Sequence, residues 1–198
     1  MNTLICLARM PEIGKVKSRI AETAGAARAY EIYVQLVKQC RKLLDSLDES
    51  IEVEVTLAEP FDFIKGQQFF GMRPFYSLQA PGDLGQRMCV AAIRGFEGGA
   101  QKVILIGSDC PSLTPEHISQ AIRILDEFPV VFGKARDGGY YLLGMTRVIP
   151  ELFGNLPWSG DELLAQSVAR LTESGIPHGL LPELCDIDTL EDWEEYVG

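Results

Sequence analysis

Four cations and one glycine crowd the stretch Arg9-Met10-Pro11-Glu12-Ile13-Gly14-Lys15-Val16-Lys17-Ser18-Arg19. Ammonium groups on flexible stems and planar guanidinium forks are the chemistry that neutralises a phosphate chain. Arg9, Pro11, Gly14, Lys15, Lys17 and Arg19 are therefore candidate nucleotide-binding residues, although the same stretch also reads as a solvated basic loop. It is not a Walker A loop, because position 9, five before Gly14, is not glycine. A G-x-G-x-x-G fingerprint is absent as well. Gly107-Ser108-Asp109-Cys110-Pro111 places one acid directly behind the apolar run Val103-Ile104-Leu105-Ile106. A carboxylate held there can bind a hard divalent cation that bridges phosphate oxygens. The bland alternative is that Asp109 caps a turn before Pro111.

Further along, Asp137-Gly138-Gly139-Tyr140 joins an acid to two glycines that allow a ligand close to the backbone. Asp137 could orient a hydroxyl, bind metal or act as a base, while Asp-Gly is equally the signature of a hairpin turn. In Asp186-Ile187-Asp188-Thr189, an extended backbone would set both acids on one face, so that Asp188 offers a second ligand for the cation at Asp109. Asp188 or Thr189 also reads as the N-cap of a final helix, and the two roles are compatible. Gly82-Asp83-Leu84-Gly85-Gln86-Arg87-Met88 opens another helix, whose amides, Gly85 and Arg87 can face a base or phosphate. Arg87 fits a surface ion pair too. Trp158 can stack on a sugar or base, or simply pack. His117 and His178 lack catalytic neighbours in sequence, which gives a hydrolase triad little support.

Strand-length apolar runs alternate with stretches of helical period, the pattern of an α/β protein with a mostly parallel sheet. Strands are expected at Thr3–Ala8, Glu52–Leu57, Arg73–Leu78, Lys102–Ile106, Val130–Gly133 and Tyr140–Met145, with a weaker one near His178–Leu181. The fourth is apolar on both faces, so it should be central and parallel. Helical stripes run from Ala24 to Leu47 and from Ile118 to Leu125, the second opened by Thr114, Pro115 and Glu116. Ser159-Gly160-Asp161-Glu162 reads as a capping box for a helix that Gly175 stops. In such a sheet, ligands bind beyond the carboxyl ends of the strands, and the basic loop and Asp109 both lie at strand exits.

With 198 residues and no linker, repeat or low-complexity stretch, residues 1–198 are expected to form one domain. No apolar run approaches the ~18 residues needed to span a bilayer. Residues 2–8 are too short for a signal-peptide core and lack a basic leader, so a cytoplasmic protein is expected. Five cysteines without a C-x-x-C pair argue against a disulfide framework and a zinc ribbon. The net charge of −10 disfavours a nucleic-acid surface. No obligate protein partner is indicated.

Taken together, Pro11-x-x-Gly14-x-Val16-Lys17-Ser18-Arg19, Gly82-Asp83-Leu84-Gly85-x-Arg87-Met88, Gly107–Pro111, Asp137–Tyr141, Pro157-Trp158-Ser159 and Asp186–Thr189 resemble a bacterial and archaeal family. It is that of the nucleotide-diphospho-sugar transferases, also described as radical-SAM/selenodomain-associated transferases. The resemblance covers nearly the whole chain. It implies a three-layer α/β sandwich of the glycosyltransferase-A type and a nucleotide-binding N-terminal half. It also implies Lys17 and Arg19 on the pyrophosphate, and Mg²⁺ or Mn²⁺ on Asp109. Asp137 and Trp158, with Gly138, Gly139 and Tyr140, would face a small-molecule acceptor. The implied reaction is glycosyl transfer from a nucleoside-diphosphate sugar. Gly107 stands where the fold's usual Asp-x-Asp motif has its first acid. Two other activities fit the residues: nucleotidyl transfer to a phosphorylated acceptor with release of pyrophosphate, and nucleotide binding without turnover.

Overall fold

The computed structural model describes residues 1–154, 156–158 and 160–198. Its centre is a seven-stranded sheet in the order β3-β2-β1-β4-β6-β5-β7. The strands are β1 (Asn2–Ala8), β2 (Ile51–Leu57), β3 (Phe75–Leu78), β4 (Lys102–Gly107), β5 (Val130–Ala135), β6 (Tyr140–Met145) and β7 (His178–Leu184). All seven expected strands are present, the third beginning two residues later than its apolar pattern suggested. β4 is central, as its two apolar faces require, but only one of its pairings is parallel. It lies parallel to β1, with Cys6 opposite Ile106, and antiparallel to β6, with Ile106 opposite Leu142. The reversal comes from the β5–β6 hairpin, whose return strand inserts between β4 and β5.

Alternation along the strands divides the core. Leu4, Cys6, Ile104 and Ile106 pack on one face with helices α1 (Ser18–Ala24), α2 (Ala26–Ser46), α3 (Phe63–Phe70), α5 (Pro115–Glu127) and α7 (Leu190–Val197). Ile5, Val103 and Leu105 pack on the other with α4 (Leu84–Glu97) and α6 (Leu163–Glu173). This is the expected three-layer sandwich. The stripe of Tyr33, Leu36, Val37, Cys40 and Leu44 is buried along α2. That helix does not begin at Ala24, however. Gly25 at φ +83° breaks the chain into α1 and α2, a conformation that L side chains avoid. Helix α3 has no counterpart among the expected elements; its eight residues are too few for a periodic stripe to stand out.

Caps place three loops at the carboxyl edge of the sheet. Asp83 accepts the Gln86 amide at 2.8 Å while Gln86 Oε1 accepts the Asp83 amide at 3.0 Å, closing a capping box on α4. Thr114 and Pro115 start α5 as expected. Helix α6 starts at Leu163 with Glu162 at the N-cap, whose side chain accepts from Gln166 Nε2 at 2.9 Å and caps no backbone amide among the described residues. The expected capping residue Ser159 lies outside the described residues. All five cysteines are free thiols, and Cys6 and Cys40 are buried with their Sγ atoms 3.6 Å apart.

Candidate active site

The loops leaving β1 and β4 are bolted together from beneath. Buried Tyr33 on α2 donates its hydroxyl to the Arg9 carbonyl at 2.9 Å, accepts the Arg9 amide at 3.1 Å and meets Ser108 Oγ at 3.2 Å. Burial, and then the nearby charge of Asp109, hold this phenol protonated far above its ordinary range. Gln79 ties a third strand exit to the same point. Its amide nitrogen donates to the carbonyls of Ala8 and Thr56 at 3.0 and 2.9 Å, and its oxygen accepts from Arg87 at 3.3 Å. Tyr33 read in sequence only as part of a core stripe, and Gln79 carried no motif.

Above this base lies an open crevice of about 710 Å³. Arg9, Gly14, Lys15, Lys17, Arg19 and Arg87 line it, together with Asp109 and Asp188. Lys17 is the organising residue. It caps α1 in the left-handed conformation, φ 49° and ψ 57°, a backbone that costs a non-glycine residue roughly 1 kcal/mol. Its side chain is only 5% exposed, and its ammonium lies 2.8 Å from Asp109 Oδ2 and 3.0 Å from Asp188 Oδ1. Burial alone would lower its pKa, yet the two carboxylates raise it above the ordinary lysine value. Arg19 adds a longer contact to Asp188 Oδ2 at 3.6 Å. By contrast Lys15 is exposed and, among the described residues, forms its ion pair with Glu12 alone, at 3.1 Å.

Asp188 reaches Asp109 because the chain after β7 is pinned to the loop after β4. The Ile187 amide donates to the Asp109 carbonyl at 2.9 Å, and the Ile187 side chain is buried. Thr189 caps α7, and Asp192 accepts the amides of Asp188 and Thr189 at 3.0 and 2.7 Å, leaving the Asp188 carboxylate to the crevice. The expectation that Asp186 and Asp188 share the face of a strand does not hold, since β7 ends at Leu184. Asp186 instead lines a second, partly open hollow with Cys110, Tyr140 and Tyr141, which adjoins the crevice at Asp109. There, burial first, then repulsion from Asp109 and Asp137, pushes its carboxyl up to about 7. Burial and the neighbouring Asp186 likewise push the Cys110 thiol up.

The later motifs separate. Asp137 is exposed at the β5–β6 turn, accepts the Gly139 amide at 2.9 Å, and shares a depression with Arg19, Asp161 and Asp188. The hairpin-turn reading of Asp137 is thus met. Gly138, at φ +89°, packs so closely on the chain before α6 that a Cβ would lie 1.9 Å from the Asp161 carbonyl oxygen. Gly85 is buried beneath Trp158, whose ring would meet its Cβ at 2.0 Å. The structure therefore sets Gly85 and Trp158 in mutual packing, outside the residues lining the crevice. Pro11 also lies outside that lining. Among the described residues no group of three metal-ligating side chains converges on one point. No helix among them is long and apolar enough to cross a membrane.

Residues 43–160, more than half of the chain, match the DUF2064 family model, described as an uncharacterized protein conserved in bacteria. The chain belongs to this family. The match covers Asp109, Asp137 and the start of α4, but neither the loop of Lys17 nor Asp188. Among solved structures, the chain is similar to a candidate nucleotide-diphospho-sugar transferase from Desulfovibrio desulfuricans G20. The two are 28% identical with a TM-score of 0.90, over 98% of this chain and 85% of the other. The fold is that of the nucleotide-diphospho-sugar transferases, as the six motifs imply. More distant likenesses of fold include the inositol-1-phosphate CTP transferase from T. maritima, at 14% identity and TM-score 0.63 over 100% and 93% of the chains. Another is Rv0371C in complex with manganese, from Mycobacterium tuberculosis H37Rv, at 16% identity and TM-score 0.53 over 98% and 96%. No curated protein matches the chain.

Proposed function

We propose that the protein is a nucleotide-dependent transferase that transfers a glycosyl group from a nucleoside-diphosphate sugar to a small-molecule acceptor, within one domain. The observation that carries this reading is the buried Lys17 ammonium held between Asp109 and Asp188 at the floor of a crevice rimmed by Arg9, Lys15, Arg19 and Arg87. Cations of this number and reach suit a diphosphate. The likeness to the Desulfovibrio protein supports the choice of donor.

The site fits Mg²⁺ or Mn²⁺ in donor chemistry, because two carboxylates converge on one centre that already carries positive charge. Asp109 and Asp188 would hold the ion, which when bound supplies positive charge to the departing nucleoside diphosphate. Lys17, released from one or both acids, would turn its ammonium to the same phosphates, and Arg19 and Lys15 would close over them. Tyr33 and Gln79 act from beneath by fixing the strand exits, so that the cations do not have to be organised anew when the ligand arrives. Asp137, exposed beside Arg19, would face the acceptor.

A second reading, nucleotidyl transfer with release of pyrophosphate, is favoured by one specific observation. The late acid Asp188 stands opposite Asp109, so the two could together hold a divalent cation that bridges the phosphates of a triphosphate. Thermal stability with Mn²⁺ and a panel of nucleoside diphosphates, triphosphates and diphospho-sugars separates the two, because a ligand that binds only the native state raises its melting temperature. Glycosyl transfer predicts a shift with a diphospho-sugar and slow release of nucleoside diphosphate. Pyrophosphate from a triphosphate would favour the second reading. No shift with any nucleotide would sink both.

A further inference from the structure

The two edges of the sheet are finished differently. β7 closes one edge with Pro182, which has no N–H to offer a further strand, and with Glu183, whose carboxylate pairs with Lys134 at 2.7 Å. Proline and charge on an outermost strand are the usual protection against pairing with another chain. β3, at the other edge, reads Phe75-Tyr76-Ser77-Leu78 and contains neither. Among the described strands it pairs with β2 alone.

Its one ladder determines which groups stay open. The Gln79 amide donates to the Leu57 carbonyl at 2.9 Å, so by alternation the backbone groups of Ser77 and Gln79 face β2. Tyr76 and Leu78 therefore each turn an N–H and a C=O outward.

The surface around this open edge is apolar. Phe61, Phe63, Ile64, Met72, Phe75 and Leu78 are each between 40% and 74% exposed, and all come from the short segment that forms α3 and β3. At ~200 Å² for a large side chain they present roughly 600 Å², the upper end of what a monomer usually leaves bare and most of the ~800 Å² per partner in a standard interface. Charge marks the same place. The chain carries −10, but residues 61–78 set Lys65 and Arg73 against Asp62, a balance of +1. Two copies of so acidic a chain repel over most of their surface, whereas here they can meet without like charges opposed.

We infer that β3 is an interface with a second copy of this chain, the two strands pairing antiparallel about a two-fold axis at Ser77. Tyr76 then exchanges both backbone bonds with Leu78 of the partner subunit, and Leu78 with Tyr76 of the partner subunit, while Ser77 faces its own copy in the non-hydrogen-bonded position. An axis at Tyr76 would instead set Leu78 against Pro74, which has no N–H, and an axis at Leu78 would carry Tyr76 past the end of β3. An axis normal to the sheet also joins like face to like. Phe63, whose ring stands at right angles to that of Tyr76 with centroids 5.7 Å apart, is brought beside Leu78 of the partner subunit.

The test is sedimentation of the full chain against concentration, with melting curves recorded in parallel. Wild type should sediment at twice the 21.9 kDa of one chain, with a dissociation constant of about 10 µM or tighter. Leu78→Lys, and Phe75→Lys on the other face of β3, should each weaken association at least about tenfold, as lysine does at a protected edge. Both side chains are more than 40% exposed, so the dilute, monomeric variants should melt close to wild type. Oxidised glutathione, which takes up the two electrons released when a pair of thiols joins, should link two Ser77→Cys chains into a disulfide dimer to a greater extent than wild type with its five thiols. That result decides also where a lysine variant melts early. A chain that stays monomeric to about 100 µM, or a dimer that both lysine variants leave intact, would overturn the interface. A dimer that lysine weakens, but whose Ser77→Cys form links no more than wild type, would overturn the pairing at Ser77.

Discussion

The crevice and the smaller cavity that Asp186 lines share Asp109 as a wall, yet they balance charge in opposite ways. On the crevice side, Asp109 and Asp188 have a lysine placed between them at hydrogen-bonding distance. On the cavity side, Asp186, only two residues before Asp188, makes no ion pair among the described residues, and the charge of Lys17 offsets only part of its burial. The sheet explains the division. The four strands β3-β2-β1-β4 are parallel and open their carboxyl ends to the basic loop, whereas β6 returns antiparallel beside β4 and closes the other side with Tyr140–Leu143. One side is thus ringed by cations, whereas the other keeps a buried acid whose pKa is raised.

The largest effect is expected where the crevice's balance is removed altogether. Asp109→Ala with Asp188→Ala leaves the Lys17 ammonium almost buried and unpaired, which should cost up to about 5 kcal/mol in a denaturant melt. Lys17→Met added to that pair should recover much of the loss; if it does not, Lys17 is not what the two acids hold in place. The metal-dependent shift with nucleotide should already vanish in Asp109→Asn alone.

Next comes the cavity side, where the sign with pH is the test. The Asp186 carboxyl, raised to about 7 by burial and by its acidic neighbours, keeps in the folded protein a proton that the unfolded chain gives up near 3.8. Stability should therefore fall as pH rises from about 4 to about 7 and level off above, by at most about 4 kcal/mol for this group. Asp186→Asn should flatten that slope. An unchanged pH profile in the variant would mean that the cavity is wetter than its walls suggest, and the contrast between the two hollows would be lost.

Much of this contrast was legible in the sequence on the crevice side and little of it on the other. The cations of residues 9–19 and Asp109 announce themselves by type and by position after apolar strands, and strand exits in a parallel sheet converge. Asp188 was legible as a candidate partner, but its route to Asp109 was not, because it depends on the Ile187 amide reaching the Asp109 carbonyl, a contact between segments far apart in the chain. Asp186 was misplaced for a related reason: alternation assigns faces only inside a strand, and β7 ends first. Gly85 and Trp158 looked like ligand contacts in isolation, whereas each is explained by the other through a packing contact that no local pattern encodes. The parallel run β1, β2, β4 could be read from apolar strands, but the antiparallel insertion of β6 follows from a hairpin whose Asp-Gly signature was equally a site motif.

A smaller effect tests how the hairpin frames both hollows. Gly138 combines a positive φ of +89° with van der Waals contact against Asp161, and its carbonyl accepts the Leu164 amide at 3.0 Å, tying the start of α6 to the turn. Gly138→Ala should cost about 2 kcal/mol through strain and displacement. It should leave nucleotide affinity in the crevice nearly unchanged, because neither Gly138 nor Leu163 lines it.

The smallest effect sets the two lysines of the basic loop against each other. Lys15 is exposed and, among the described residues, ion-paired with Glu12 alone, a contact worth under about 1 kcal/mol, so Lys15→Gln should leave the melting temperature of the free protein nearly unchanged. Its contribution should emerge only with a phosphorylated ligand, as a few-fold loss of affinity that fades with added salt, since an exposed charge is screened over about 10 Å at 0.1 M ionic strength. Lys17→Gln should behave in the reverse manner. The free protein should lose stability from the two acids left facing each other, and the loss of nucleotide affinity should persist at high salt because the ammonium is nearly buried. Identical salt profiles for the two variants would place both lysines on the surface electrostatics of the loop and would remove Lys17 from the floor of the site.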